Sequence, residues 1–290
     1  MDPTKIINSS LEQVLAGASD ECCPPRFLKA LNYAVMPGGA RVRPKLTLAV
    51  AKACHADNPA AVASAACAVE MIHCASLVHD DLPCFDNAAT RRGKPSVHAA
   101  FGERLAVLAG DALIVMAFEA LANGAAASPT RLPAMVRVLA SSVGAPRGIC
   151  AGQAWECEPK APLGRYQRQK TGSLFVAATA LGAAAAGVEA RPWEMLGRRM
   201  GEAYQVADDI LDVTADPEEI GKPIGQDSDL HRPNSVLERG MTASEDRLKR
   251  LVSEAMDAIP SCPGEVPLRA LIEVEARAFI DHALMRSAAA

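Results

Sequence analysis

The sequence predicts an all-α fold, a single large helical bundle around a central apolar cavity. Three observations predict it. Alanine-rich stretches dominate, while aromatic residues make up only 4% of the 290 positions, a composition that favours helix over sheet. Apolar residues recur at helical spacing along most of the chain, and no alternating strand pattern or hairpin turn of any length appears. The loops are short, and none has the composition of a domain linker, so residues 1–290 read as one domain.

The elements follow in order. A first helix is predicted over 4–17. Cys22-Cys23-Pro24-Pro25 marks a break before a second over 26–35, and Met36-Pro37-Gly38-Gly39 ends that one with glycine where a helix C-terminus favours it. Helices over 44–54 and 59–82 come next. The second is long and apolar until its aspartates, and Pro83 blocks a regular continuation. Periodicity predicts further helices over 101–123, 130–143, 147–157, 171–187, 192–213, 243–258 and 267–286, with loops such as Gly-Val-Glu-Ala-Arg-Pro near 190 between them. The Ala-Ala-Ala tail is predicted to fray.

Composition excludes several classes. A formal charge of −4 without a basic tract argues against a nucleic-acid binder. Nine cysteines, an odd number scattered through apolar segments without a CxxC pair, read as thiols in a reducing cytosol, so the expected location is cytoplasmic. The N-terminus carries no signal or transit pattern, and the apolar runs near 20 residues are interrupted by charge or polarity, so no membrane span is expected.

Chemistry enters with two aspartate clusters, Asp80-Asp81-Leu82-Pro83-Cys84-Phe85-Asp86 and Asp208-Asp209-Ile210-Leu211-Asp212. Like charges one helical turn apart cost roughly 0.2–0.5 kcal/mol even on an exposed surface. At the mouth of an apolar pocket the cost is larger unless a cation offsets it. Two such clusters facing one cavity would hold several Mg²⁺ ions, which complete their octahedra with substrate phosphates. Asp208 and Asp212 share a helical face, with Asp209 about 100° away. Asp80 and Asp86 share no face of a straight helix, so Pro83 and the two extra residues are expected to bulge the helix and return Asp86 to range. Either cluster alone reads equally well as a solvated acidic turn; the pair, flanked by apolar helix and by cations, does not.

The cations are Arg41 and Arg43 after the Gly-Gly turn, Arg91 and Arg92 before Gly93-Lys94-Pro95, Lys170 beside Thr171, and Lys222. Arginine forks match phosphate oxygens, and lysine adds a mobile point charge. Singly, each pair reads as ordinary surface, and His98 as a structural histidine.

Together these residues resemble the trans-isoprenyl diphosphate synthases, which extend an allylic diphosphate by head-to-tail condensation with isopentenyl diphosphate. The resemblance spans about 31–236. It rests on Gly-Gly-x-Arg-x-Arg-Pro, DDxxxxD followed by Arg-Arg-Gly-Lys-Pro, Gly152-Gln153, Lys170-Thr171, Tyr204-Gln205-x-x-DDxxD and Gly-Lys-x-x-Gly-x-Asp. The resemblance implies that Asp80, Asp86 and Asp208 ligate the Mg²⁺ ions, three of them, with Asp81, Asp209 and Asp212 supporting the shell directly or through water. It assigns Arg91, Lys170 and Lys222 to the allylic diphosphate, and Arg43, Arg92 and His98 to isopentenyl diphosphate. Thr171 and Gln205 would line the reacting centre, and a homodimer is implied. Two positions depart from the pattern: Ala40 stands where lysine is common, with Arg41 next door to compensate, and Arg232 stands where lysine is common late in the last motif.

Tail length follows from geometry, since one extended isoprene unit spans about one helical turn, about 5.4 Å. Ala75 and Ser76, one turn or so before Asp80, are small and leave the first floor level open. Met71 and Ile72, one turn deeper, are expected to close it, with Met116 or Phe118 from the 101–123 helix. The two-residue insertion in the first aspartate motif resembles the bacterial and plant branch, implying a C20 product, geranylgeranyl diphosphate. The alternatives are a C15 product, or a non-catalytic partner subunit of a heteromeric synthase. Against the subunit stands the retention of all six aspartates. Against a class I terpene cyclase stand the missing Asn/Ser/Glu pattern and the scarcity of aromatics.

Overall fold

Local capping sets where the helices begin. Asp2 accepts the Thr4 N–H at 2.9 Å and opens α1 (Pro3–Gly17), and Pro24 precedes α2 (Pro25–Val35). Asn58 accepts the Ala60 and Ala61 N–H groups, both at 3.1 Å, and Pro59 occupies the first turn of α4 (Pro59–Asp80). Between them lies α3 (Val42–Ala53). The computed structural model describes residues 2–36, 38–214 and 234–275.

After α4 comes a minimal antiparallel ladder, β1 (Thr90–Arg91) with β2 (Lys94–Pro95), turned by Arg92 and Gly93, which both take positive φ. Strand periodicity cannot register over two residues, so the sequence reading missed this hairpin. Then follow α5 (Val97–Phe101), α6 (Glu103–Gly124), α7 (Leu132–Val143) and α8 (Ile149–Ala154). The predicted 101–123 helix is thus cut at Gly102, whose φ is 90°. The predicted 147–157 helix tightens into a 3₁₀ turn over Trp155–Cys157. The 171–187 helix starts earlier than predicted: α9 (Leu163–Gln167) runs through a π-helical turn at Arg168–Gly172 into α10 (Ser173–Ala185). Last come α11 (Glu194–Thr214), α12 (Ser235–Arg239), α13 (Met241–Asp257) and a helical stretch over 265–275; the rest of the predicted 267–286 helix lies outside the described residues.

Two helices organise the interior. α4 lies against α3, α6 and α10, and α10 lies against α3, α4, α7 and α11. All of α10 except Val176 is buried, so it has no polar face to lose, and Gly182 lets it close on α3: a Cβ there would stand 2.6 Å from the Thr47 carbonyl oxygen. Fully buried side chains such as Phe175, Leu113 and Leu121 each contribute about 1.5–3 kcal/mol through removal from water. A second, smaller cluster joins Val206 and Ile210 of α11 to Val236, Leu248 and Leu251 of α12 and α13. α11 therefore packs on two sides, with consequences for its aspartates.

α4 and α6 are each long and apolar enough to cross a membrane, with mean hydropathies of 1.7 and 2.0. The polar interruptions do not prevent this. The bundle buries 72% of the apolar window in α4, and 44% of that in α6.

Candidate active site

α4 delivers Asp80 at its last turn, and the chain then folds back on itself. The Phe85 N–H donates to the Leu82 carbonyl at 2.9 Å, the Asp86 N–H to the Asp80 carbonyl at 2.9 Å, and the Ala88 N–H to the Asp81 carbonyl at 3.1 Å. The expected helical bulge is thus a correction: α4 stops at Asp80, and a turn, not a distorted helix, returns Asp86. Carboxylate oxygens of Asp80, Asp86 and a third residue, Glu156, lie within 4.8 Å of one another. Burial pushes the Asp80 carboxyl above its ordinary pKa, Lys170 opposes that shift, and Asp86 and Glu156 add to it.

Lys170 sits among these carboxylates, 3.2 Å from Asp80 Oδ1 and 2.5 Å from Glu156 Oε1. It projects from the π-helical turn, which stands directly against α8. Gly152 makes that approach possible, because a Cβ there would stand 2.2 Å from the Lys170 backbone nitrogen. Glu156 was missed by the sequence reading. Its signal was its place three residues after Gln153, on the same face of a helical turn.

One residue on, the Thr171 hydroxyl donates to Gln205 Oε1 at 2.6 Å, and Gln205 Nε2 donates to Asp209 Oδ1 at 2.8 Å. Asp208 and Asp212 border the same cavity as Asp80. Asp209 is turned the other way, 1% exposed, and accepts from Gln167 Nε2 at 3.0 Å and the Ser235 N–H at 2.8 Å. It does not border the cavity: the 100° step along α11 points it at the second cluster, where it ties α9, α11 and α12 together, and it reaches the site through Gln205.

The cationic side also differs from expectation. Arg43 is 8% exposed, borders the cavity, and lies 4.6 Å from the Phe175 ring centre and 5.3 Å from that of Tyr204. His73 faces the same cavity. Burial, together with Arg43, Arg92, Arg91 and Arg41, holds its imidazole well below the ordinary value of 6.5, so it is neutral. His98 does not border the cavity; its Nδ1 lies 2.9 Å from Ser96 Oγ. His73 is seven residues before Asp80, two turns up the same face, a spacing that singles it out in retrospect.

Arg91 borders the cavity while gripping Asp81, with Nε 3.0 Å from Oδ1 and 3.3 Å from Oδ2, and with Nη2 on Oδ1 as well. Asp81 is 2% exposed, lies outside the main cavity and anchors Arg91. Arg92 is exposed, close over Gly39, and borders a smaller recess of about 120 Å³ with Lys94 and Tyr33. Arg41 cannot compensate for Ala40. It is 4% exposed, with Nη1 2.5 Å from Glu70 Oε1 and Nη2 2.9 Å from the Val35 carbonyl oxygen, a buried ion pair joining α2, α3 and α4. Lys222 and Arg232 lie outside the described residues.

The cavity itself has a volume of about 600 Å³. Back along α4 from Asp80 the wall is mostly hydrocarbon: Ile72 and Ala75 from α4, Ile114 from α6, Val143 from α7, Ile149 from α8 and Leu174 from α10, with Ser76 donating its hydroxyl to the His73 carbonyl at 2.8 Å. Met71, Met116 and Phe118 do not border it, which corrects the expected floor. Met71 is wholly buried in the surrounding core, whereas Ile72 reaches the cavity wall.

A family model described as polyprenyl synthetase matches residues 24–268. The chain belongs to that family. It is 54% identical over 266 residues to the geranylgeranyl diphosphate synthase of Cereibacter sphaeroides, covering 92% of each chain. It is 48% identical over 281 residues to that of Rhodobacter capsulatus, covering 97% of each. Among solved structures it resembles a geranyltransferase from Helicobacter pylori complexed with magnesium and isoprenyl diphosphate, at TM-score 0.77, 30% identity, and coverage of 96% of this chain and 97% of that one. The carboxylates of this polyprenyl synthetase fit a hard divalent cation. Asp80 and Asp86 offer oxygen donors within 4.8 Å of each other, and Asp208 and Asp212 border the same cavity.

Proposed function

We propose that this polyprenyl synthetase condenses isopentenyl diphosphate with allylic diphosphates to make geranylgeranyl diphosphate. The observation that carries the reading is one cavity lined both by carboxylates and cations and by the hydrocarbon side chains Ile72, Ala75, Ile114, Val143, Ile149 and Leu174. Mg²⁺, three ions in this reading, would supply positive charge against the charge that develops on the leaving diphosphate. Asp80, Asp86, Asp208 and Asp212 face the cavity to hold it. Lys170 and Arg91 add fixed positive charge at the same diphosphate, where preorganised charge stabilises the transition state without reorganising. Thr171 and Gln205, hydrogen-bonded to each other, offer oxygen atoms beside the allylic carbon as its bond to diphosphate breaks.

Arg43 and Arg92 bind the second diphosphate, and His73, on the same cavity wall as Arg43, supplies a hydrogen-bonding nitrogen without a further charge. The isopentenyl double bond then attacks the allylic cation, and a proton passes to the released diphosphate. The hydrocarbon wall keeps water from that cation. The growing tail runs past Ala75 and Ser76 toward Ile72 and Ile114, which supports a C20 product over C15.

Residues 1–290 act as one domain with its motif-bearing core at about 31–236. A homodimer is supported by α6, which exposes Val107 at 41%, Leu108 at 52% and Val115 at 67% as an apolar face suited to a second copy. All nine cysteines are free thiols, which supports a reducing cytoplasm. The test is consumption of labelled isopentenyl diphosphate with C5, C10 and C15 allylic starters, with and without a chelator, reading product length. Magnesium-dependent formation of C20 is expected. A C15 end product refutes the length assignment, and absence of turnover with all three starters refutes the reaction.

A further inference from the structure

We infer that Glu156 is a positioning residue, which holds the Lys170 ammonium at the diphosphate and does not itself bind metal. The inference rests on the prenyl-transfer reading above. Three donors converge on the Glu156 carboxylate: Lys170 Nζ at 2.5 Å and the Tyr166 hydroxyl at 2.7 Å on Oε1, and Gln153 Nε2 at 2.9 Å on Oε2. Gln153 and Tyr166 come from α8 and α9, on either side of Glu156, and Tyr166 is 7% exposed. The carboxylate is therefore fixed from two sides before Lys170 reaches it. The Tyr166 ring centre also lies 5.8 Å from Lys170 Nζ, so one side chain steadies both partners.

Lysine carries its charge on a flexible four-carbon stem, and it stays in one place only if a fixed partner holds it. Asp80, 3.2 Å from Nζ, cannot be that partner during turnover, because in the reading above it turns to metal. A cation arriving at Asp80 repels the ammonium, and Glu156 is the anion that then retains it. The ammonium has three protons, so one held by Glu156 leaves two for diphosphate oxygens. Lys170, Tyr166 and Gln153 all reach Glu156 as donors, a set that an acceptor carboxylate suits. A glutamine there would turn its own NH₂ toward a donor on one side.

The test is a double-mutant cycle in the full chain, read by binding of an allylic thiodiphosphate, whose carbon–sulfur bond does not ionise, at saturating Mg²⁺. Glu156→Gln is expected to weaken binding about tenfold, as loss of a charged hydrogen bond does, while isopentenyl diphosphate affinity is unchanged. Tyr166→Phe removes only the hydroxyl that fixes the carboxylate. It is expected to weaken binding about threefold and serves if Glu156→Gln folds poorly. In a Lys170→Ala background both effects should vanish, since there is no ammonium left to position. Losses that persist in that background, or a higher Mg²⁺ requirement in Glu156→Gln carrying Lys170→Ala, would make Glu156 a metal ligand and overturn the inference. Wild-type-like binding in both single variants overturns it as well. A wild type that neither binds the analogue nor consumes isopentenyl diphosphate refutes the prenyl-transfer reading, and the positioning role with it.

Discussion

Replacing Ala75 with phenylalanine should shorten the product by one isoprene unit. Ala75 stands five residues before Asp80, about 7.5 Å back along α4, and Ile72 stands about 12 Å back. A ring at 75 therefore moves the first obstacle up by roughly 4.5 Å, close to the ~5.4 Å of one extended unit. Because Ala75 borders a cavity of about 600 Å³, the ring can enter that space without displacing packed core. Forcing a tail past it costs about 1–3 kcal/mol, or about 5- to 150-fold against the longer product. The assay is chromatography of dephosphorylated products at matched enzyme and substrate, with a thermal melt to check folding. C15 should replace C20. An unchanged C20 share in a folded Ala75→Phe protein would refute the argument that the tail runs down α4. Two companions sharpen it: Ile72→Ala should lengthen some product. Met71→Ala should not, but should cost about 2–5 kcal/mol of stability, because Met71 is wholly buried away from the cavity.

Further outcomes follow from the same geometry. Asp80→Ala or Asp208→Ala should lower kcat by about 10²–10³-fold, since each removes charge that answers the leaving diphosphate; steady-state kinetics at saturating Mg²⁺ would detect near-normal turnover, which contradicts the site. His73 has a depressed pKa, so the unfolded chain takes up the proton first as pH falls below 6.5. Stability is thus fully present above that value and declines below it, at up to about 1.4 kcal/mol per pH unit from this group. Denaturant titrations across that range should show a shallower decline in His73→Asn. Arg41→Ala leaves Glu70 buried without its partner and should cost about 3–5 kcal/mol, lowering Tm. Isopentenyl diphosphate affinity in whatever fraction folds should be unchanged, and a selective loss of that affinity would place Arg41 in the site after all.

The sequence by itself determined the helices, the two acidic ends and the shared face of Asp208 and Asp212, because each depends on spacing within one element and the 3.6-residue turn converts spacing into direction. It also marked Lys170, Thr171, Gln205 and Arg43, whose motifs keep local order along the chain. What it left open is which way each helix is rotated toward its neighbours, and only packing decides that. The second cluster on α11 turned Asp209 away from the cavity. Glu70 drew Arg41 inward, and α5 carried His98 aside while α4 presented His73. Ile114, Val143, Ile149 and Leu174 come from four different helices, so no periodicity could assemble them into one wall. Glu156 entered the site for the same reason: the approach of α8 to the π-helical turn, possible only at Gly152, is a contact between segments and has no signature within either.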